Sequence, residues 1–303
     1  MRLRLGLRYD LRLSPARLGE VPRLYARLLE HAEAADALGV GVAWVAERPF
    51  AAGAVFPAAL PLCAALAART RRMRIGTAVL PLPLHHPLRV AEDAATLDGI
   101  SGGRLELGVG LGGHAEGFHG FGVSPAGREA RFVEAIELLR LAWREGPLRF
   151  AGRHFAFRGE IEVWPKPLQR PGPPLWVAGA GDTALRRAAR LGDGLLAGSP
   201  SAAARFAAAC RAEGRAPESS SVAVELSALA GPPADALRAA DALVHALGAD
   251  FGGVDLVAPV FAAFGAEPVH ALGLERAALE RLVRETWPAV QEATRRVASS
   301  GLG

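Results

Sequence analysis

Eight times over, a short apolar run gives way to a longer run with helical spacing. That succession constrains the chain more than any other feature of its 303 residues. Strand patterns fall at Leu3–Tyr9, Val42–Glu47, Arg74–Val79, Leu105–Gly110, Leu175–Ala178, Gly194–Ala197, Val222–Leu229 and Val254–Ala258. Helical patterns follow at about Val21–Leu38, Pro57–Ala68, Pro87–Leu97, Ala126–Trp143, the run ending near Leu191, Ala202–Glu213, Pro233–Leu247 and Leu274–Val297. Strands separated by helices pair in parallel, and eight such units close into a (β/α)8 TIM barrel, an α/β fold. An open doubly wound sheet is the rival. Only Pro147–Pro174 breaks the rhythm. It reads as a short hairpin and a proline-rich connector, a rim insertion after the fourth helix. Without an internal repeat or low-complexity linker, residues 1–303 read as one domain.

Composition removes several function classes. Half the residues are hydrophobic, yet no uncharged apolar run reaches the roughly 18 residues of a membrane span. "MRLRLGLRYD" alternates as a strand does and carries no export signal, so the cytoplasm is the expected compartment. The net charge of +4 comes from arginines scattered along helices near Glu and Asp, without interleaved aromatics, which argues against nucleic acid. Cys63 and Cys210 sit in apolar helical patterns and read as buried thiols; no spacing suggests a metal site. No N-terminal GxGxxG marks a tightly held nicotinamide.

In such a barrel the active site lies at the C-terminal strand ends, here near Tyr9-Asp10, Glu47, Ala78-Val79, Gly110, Gly179, Gly198-Ser199, Ser227 and Pro259. Two successive strands there carry the smallest residues, Gly76-Thr77-Ala78 and Gly108-Val109-Gly110. A large flat group against the backbone would explain both. "GAGDT" at Gly179–Thr183 joins a strand to a helix, where free amide groups and the helix dipole favour an anion; a simple turn capped by Asp182 is the plainer alternative.

Three blocks carry a family resemblance: "IGTAVLPLPLHHPLRVAEDAATLDGISGGRLELGVG", "GFHGFGVSPAGREARFVEAIELLRLAW" and "PKPLQRPGPPLWVAGAGDTALRRAARLGDGLLAG". In this order and spacing the chain resembles the bacterial luciferase-like flavin-dependent oxidoreductases, most strongly from Arg74 to Gly198. The resemblance implies a flavin ring resting on a bulge with a non-prolyl cis peptide, here at Ala78–Val79, and a flavin phosphate in the turn at Gly179, Ala180, Gly181 and Thr183. With Thr77, Gly110, Gly112 and Ser199 these form the candidate cofactor site, and Glu47, Arg48 and His114 are the candidate catalytic residues.

The sequence also departs from the family pattern. Glu47-Arg48-Pro49 stands where bioluminescent members read Glu-His-His, so Arg48 replaces a histidine. Arg48 could bind an acidic substrate or stabilise an anionic reduced flavin; a surface ion pair is the plainer role. Leu111 replaces a phosphate-binding arginine, Gly113 a tryptophan and Gly117 a glutamate, for which Glu116 is a shifted substitute. His114 and His119 in this loop are candidate proton donors, whereas His85 and His86 suggest a structural role at the rim. Asp98, Ser101 and Arg104 read as turn chemistry on the opposite face. The expected function is a monooxygenase using reduced FMN and O2 on a small organic substrate, with FMN supplied by a separate flavin reductase. Hydride transfer with the deazaflavin coenzyme F-420 is the alternative, and a non-catalytic flavin-binding subunit the third reading. A homodimer is expected from the family. The rim segments Pro147–Pro174 and Val260–Leu272, the latter with Phe261, Phe264 and His270, are expected to shape an apolar substrate pocket.

Overall fold

The computed structural model describes residues 2–13, 15–225, 233–247, 253–260 and 276–300. In chain order the elements are β1 (Arg2–Tyr9), α1 (Val21–Leu38), β2 (Val42–Val45), α2 (Ala59–Arg69), β3 (Arg74–Thr77), β4 (Leu80–Pro81), α3 (Pro87–Ser101) and β5 (Leu105–Gly110). Then come α4 (Ala115–Gly120), α5 (Arg128–Ala142), β6 (Leu175–Gly179), α6 (Asp182–Leu191), β7 (Gly194–Ala197), α7 (Pro200–Ala212) and β8 (Ser221–Glu225). The last are α8 (Pro233–Leu247), β9 (Gly253–Val260), α9 (Arg276–Arg281) and α10 (Trp287–Ser300), with a π turn at Leu282–Thr286 between the final two.

All strand pairs are parallel, in the order β3-β2-β1-β9-β8-β7-β6-β5-β4, and a further β3–β5 pairing joins the two ends into a barrel. Side chains alternate across each strand. Leu7, Ala43, Val45 and Ile75 face outward into the main core with the helices, whereas Val42, Trp44, Trp176 and Ala223 cluster inside the barrel with Ala78 and Leu196. Helix α1 shows the rule at work. Leu24, Leu28, Ala32 and Ala35 recur at helical spacing and are buried. Gly39, at φ 90°, then ends the helix in the left-handed conformation that glycine adopts freely.

The join between β3 and β4 sets the site. Ile75 pairs with Leu105 and Gly76 with Glu106, but Leu80 pairs with Val109 and Pro81 with Gly110. The offset drops by one residue between the two pairings, which is a β-bulge on this side of the ladder. The non-prolyl cis peptide Ala78–Val79 sits in that bulge, as the resemblance implied.

The glycines on β3 and β5 answer a different need from the one expected. A Cβ at Gly76 would lie 2.4 Å from the Trp44 ring, and one at Gly108 would lie 1.8 Å from the Thr77 carbonyl oxygen. These two admit the barrel's own packing, not an external ring. Only Gly110 lies at the mouth, its missing Cβ 2.8 Å from Val79 Cγ2.

Other differences are local. Strand β2 stops at Val45 because Glu47 leaves the ladder to accept a hydrogen bond from the Ala59 amide at the start of α2. Helix α4 was not anticipated, since its glycines hide any apolar period. Gly117 packs against Leu84, and Gly120 against the Phe50 ring. Helix α7 begins two residues early, at Pro200, because Ser199 caps it. The excursion after α5 is bridged at Leu148–Ile161 and Ala151–Ala156, and Glu134 of α5 accepts the amides of Arg153, His154 and Phe155. Residues 226–229 and 261–272, including Phe261, Phe264 and His270, lie outside the described residues. Cys63 and Cys210 are buried free thiols. Among the described residues no helix is long and apolar enough to cross a membrane, and no cluster of His, Cys, Asp or Glu could hold a metal ion.

Candidate functional site

The strands deliver their C-terminal ends to one mouth, where two connected chambers flank the bulge. The first, about 300 Å³, is lined by Glu47, Arg48, Val79, Pro81, Leu84, Leu111 and His114 among others. The second, about 490 Å³, is lined by Arg8, Trp44, Leu196, Ser199, Ala223 and Glu225 among others. Ala78, Val79 and Ala178 border both, so the bulge is the wall between them. Volumes of this size suit a small-molecule or cofactor site. A third, more open groove of about 550 Å³ continues from His114 past Phe118 and Val123 to Arg128.

Ion pairs cross the mouth from β8 to the loop after β5. Arg8 Nε donates to Glu225, and Arg8 Nη1 lies 3.2 Å from Asp10 Oδ2. Asp10 also accepts from Arg48, at 2.9 Å to Nε and 2.6 Å to Nη2. Arg48 Nη1 in turn lies 2.8 Å from His114 Nε2. An arginine has only donors, so His114 Nε2 accepts and the neutral ring carries its proton on Nδ1. Burial alone would raise the Asp10 carboxyl; hydrogen bonding and charge from Arg48, with Arg8 and Arg12 nearby, bring it below the ordinary aspartate value. Its partner Arg48 is held more firmly protonated by the same hydrogen bond.

The three candidate catalytic residues all line the first chamber, but they differ in freedom. Glu47 is buried with both oxygens engaged, Oε1 by His85 Nε2 at 2.7 Å and Oε2 by the Ala59 amide at 2.8 Å. It ties the loop after β2 to the start of α2 and to His85. His85 has the structural role read from sequence. Arg48, half-buried, lines the cavity in an ion pair with Asp10 where a surface pair with a glutamate was the plainer reading, and it bonds His114, which lines the same cavity but is exposed.

Of the candidate cofactor residues, Ala78, Val79, Gly110 and Gly112 surround the first chamber and Ser199 the second. Thr77 does not reach either. It is fully buried, and its hydroxyl donates to the Gly108 carbonyl at 2.6 Å. Gly179 ends β6, Ala180 and Gly181 form the exposed turn beside Gly198, and Thr183 is exposed in the first turn of α6. Gly181, not Asp182, is the N-cap of α6, and no side chain caps it, so the first-turn amides lack side-chain partners. Asp182 pairs with Arg205, which also donates to the Ala180 carbonyl at 2.7 Å.

Sequence reasoning missed Arg8, Glu225 and Trp44, and it placed Asp10 at the mouth without assigning it a partner. Their signal is positional, since a charged residue near the end of a barrel strand faces the mouth. Trp44 Nε1 is buried with no partner among the described residues, and the side chain borders the second chamber. A flat ring edged with carbonyl groups fits this cleft. The bulge offers it Ala78, Val79 and Gly110 with little side chain in the way, Trp44 an unused donor, and α6 an anion-binding end for a tail.

Comparisons with known proteins follow the same line. A 33% identical stretch of 181 residues, 56% of this chain and 52% of the relative, matches the coenzyme F-420-dependent glucose-6-phosphate dehydrogenase of Amycolatopsis mediterranei. A 31% identical stretch of 160 residues, 52% of this chain and 43% of the relative, matches the oxygenase component of the flavin-dependent trigonelline monooxygenase of Acinetobacter baylyi. The chain thus matches about half the length of these curated relatives. The crystal structure of monooxygenase RslO1 from Streptomyces bottropensis superposes with a TM-score of 0.77 at 24% identity, over 95% of this chain and 99% of that one, which shows a shared fold. The family profile for luciferase-like monooxygenases matches residues 12–299, nearly the whole chain, and the protein belongs to that family.

Proposed function

We propose that the protein is a flavin-dependent monooxygenase that uses reduced FMN and O2 to oxygenate a small organic substrate. The observation that carries this reading is the pair of chambers on either side of the Ala78–Val79 bulge, one bearing Arg48 and His114, the other ending at Ser199 beside α6. When bound, reduced FMN supplies the two electrons that activate oxygen. The protein's own residues do the rest. Ala78, Val79 and Gly110 support the ring, and the first-turn amides of α6 with Thr183 hold the phosphate. Val79, Pro81, Leu84 and Leu111 keep water from the first chamber. Arg48 keeps positive charge at its edge, and His114 presents its Nδ1 proton there. Glu47 positions the Arg48 loop without touching the reactants. The oxygenase relative supports a separate flavin reductase as partner, and the family a homodimer.

A second reading is hydride transfer with the deazaflavin coenzyme F-420. The open groove ending at Arg128 favours it, since it gives a longer cofactor tail room and a cation.

An anaerobic titration decides between them. Reduced FMN and reduced deazaflavin are offered separately while tryptophan emission is followed, and air is then admitted with an oxygen electrode in place. Quenching by reduced FMN and oxygen uptake support the oxygenase. Selective deazaflavin binding with no oxygen uptake overturns it. Binding of flavin with no oxidoreduction of any kind favours a non-catalytic subunit.

A further inference from the structure

The first chamber is apolar apart from Glu47, Arg48 and His114, and Glu47 has both oxygens engaged. Arg48 is therefore the charged group available to a molecule in that space. Its guanidinium has five N–H donors. Asp10 takes the one on Nε and one on Nη2, and His114 takes one on Nη1. One N–H remains on each terminal nitrogen, and the side chain lines the cavity while staying 23% exposed. Asp10 fixes the plane of the group without using it up, which is what a preorganised anion clamp requires. Arg8, Arg12 and Arg48 all act on Asp10, and Glu225 on Arg48, so this one aspartate is shared among three arginines.

We infer that Arg48 is a specificity-determining residue which holds an anionic oxygen group of the substrate, a carboxylate or a phenolate, in the chamber beside the Ala78–Val79 bulge. The inference rests on the oxygenase reading and names its substrate class. A neutral amide of the same shape meets one of the two donors through its carbonyl oxygen but sets an NH2 against the other and brings no charge, so the site discriminates by charge as well as by shape.

The test uses benzoate and benzamide, flat probes of nearly equal size that differ in charge, titrated calorimetrically into the full chain with and without oxidised FMN. Benzoate is expected to bind tighter by about tenfold or more, the scale of a charge-assisted bidentate contact. Arg48→Met removes that preference, with or without FMN. Arg48→Lys keeps part of it, as a point charge without the fork. If R48M melts early because Asp10 has lost a partner, the double variant D10N/R48M removes both charges and gives the same reading. Equal affinity for the two probes, absent benzoate binding at millimolar concentration, or a preference that survives both variants overturns the inference. A benzoate preference without any FMN binding leaves the clamp standing and removes the flavin reading instead.

Discussion

Two arginine–carboxylate networks occupy the inside of this barrel, one at each end, and they serve opposite purposes. At the N-terminal end Glu106 is buried and accepts from Arg4 at 2.8 and 3.0 Å and from Arg74. Arg74 continues to Gln169 at 2.8 Å, and Gln169 to Asp98 and the Leu105 carbonyl. There the partners enclose one another and border none of the three cavities described. At the mouth, Glu225, Arg8, Asp10 and Arg48 use the same residue types, but Glu225, Arg8 and Arg48 border cavities. The difference is what the side chains border: protein at one end, open cavities at the other.

That contrast is broken most severely at the closed end. Glu106→Ala removes the buried carboxylate that Arg4 and Arg74 share, and losing one partner of a buried pair costs about 3–5 kcal/mol. Chemical denaturation is expected to show a loss of this size. A loss under about 1 kcal/mol would mean that water reaches this end and that the two networks do not differ as described.

The two ends were not equally legible in the sequence. The βα succession gave the barrel, because strand and helix periods differ and eight changes between them leave few topologies. Ser101 and Arg104 were readable as turn chemistry, whereas the Asp98 carboxylate, read the same way, accepts from Gln169 instead. Ser101 accepts the Arg104 amide, and Arg104 donates to the Ala67, Thr70 and Met73 carbonyls. The bulge at Ala78–Val79 became visible only through resemblance, since nothing in the residue types at 78 and 79 demands it. Gly76 and Gly108 were misread because no local pattern says what fills the space they leave; Trp44 comes from the neighbouring strand and the Thr77 carbonyl from across the ladder. Asp10 was placed at the mouth, but its pairing with Arg48, 38 positions away, was not legible for the same reason.

A third region sharpens the contrast by acid titration. Behind β1, away from both networks, Tyr9 bonds His31 Nδ1 at 2.9 Å in an apolar setting, and burial lowers the His31 pKa to about 4. Between that value and the ordinary one near 6.5, the unfolded chain binds a proton that the folded chain refuses. Stability is therefore lost as pH falls through this window, by roughly 2–3 kcal/mol. Melting curves from pH 7 to 4 should show the slope, and His31→Gln should flatten it. Asp10 titrates lower. Its depressed folded value means that its contribution is complete above the ordinary aspartate range near 3.9 and is lost only as pH falls below it. A slope above pH 4 that survives H31Q would assign the loss elsewhere.

At the mouth the same kind of change should cost less stability. Asp10→Asn keeps the shape and removes the charge that Arg8 and Arg48 share, while Glu225 still holds Arg8. A loss of about 1–2 kcal/mol is expected, below that at Glu106, because Arg48 is partly solvated and can turn to water. Binding of an anionic probe should hold or rise, since a neutral neighbour withdraws less of the arginine's charge. Weaker probe binding in D10N would show that orientation by Asp10 matters more than the charge it offsets.

The smallest effect tests whether the mouth is tuned for ligand at the expense of packing. Ser199 borders the second chamber, and its hydroxyl accepts the Ala202 amide at 3.2 Å, capping α7. Ser199→Ala should cost about 1 kcal/mol of stability as the loss of a cap. If the hydroxyl is held by the helix, FMN affinity should change little, because the phosphate then depends on the amides of α6. If the serine instead turns to the phosphate when flavin binds, S199A should weaken FMN by severalfold and cost the FMN-loaded protein more stability than the protein alone. Comparing melting temperatures with and without FMN separates the two. An equal shift in both makes Ser199 part of the fold, and a larger shift with FMN makes it part of the site.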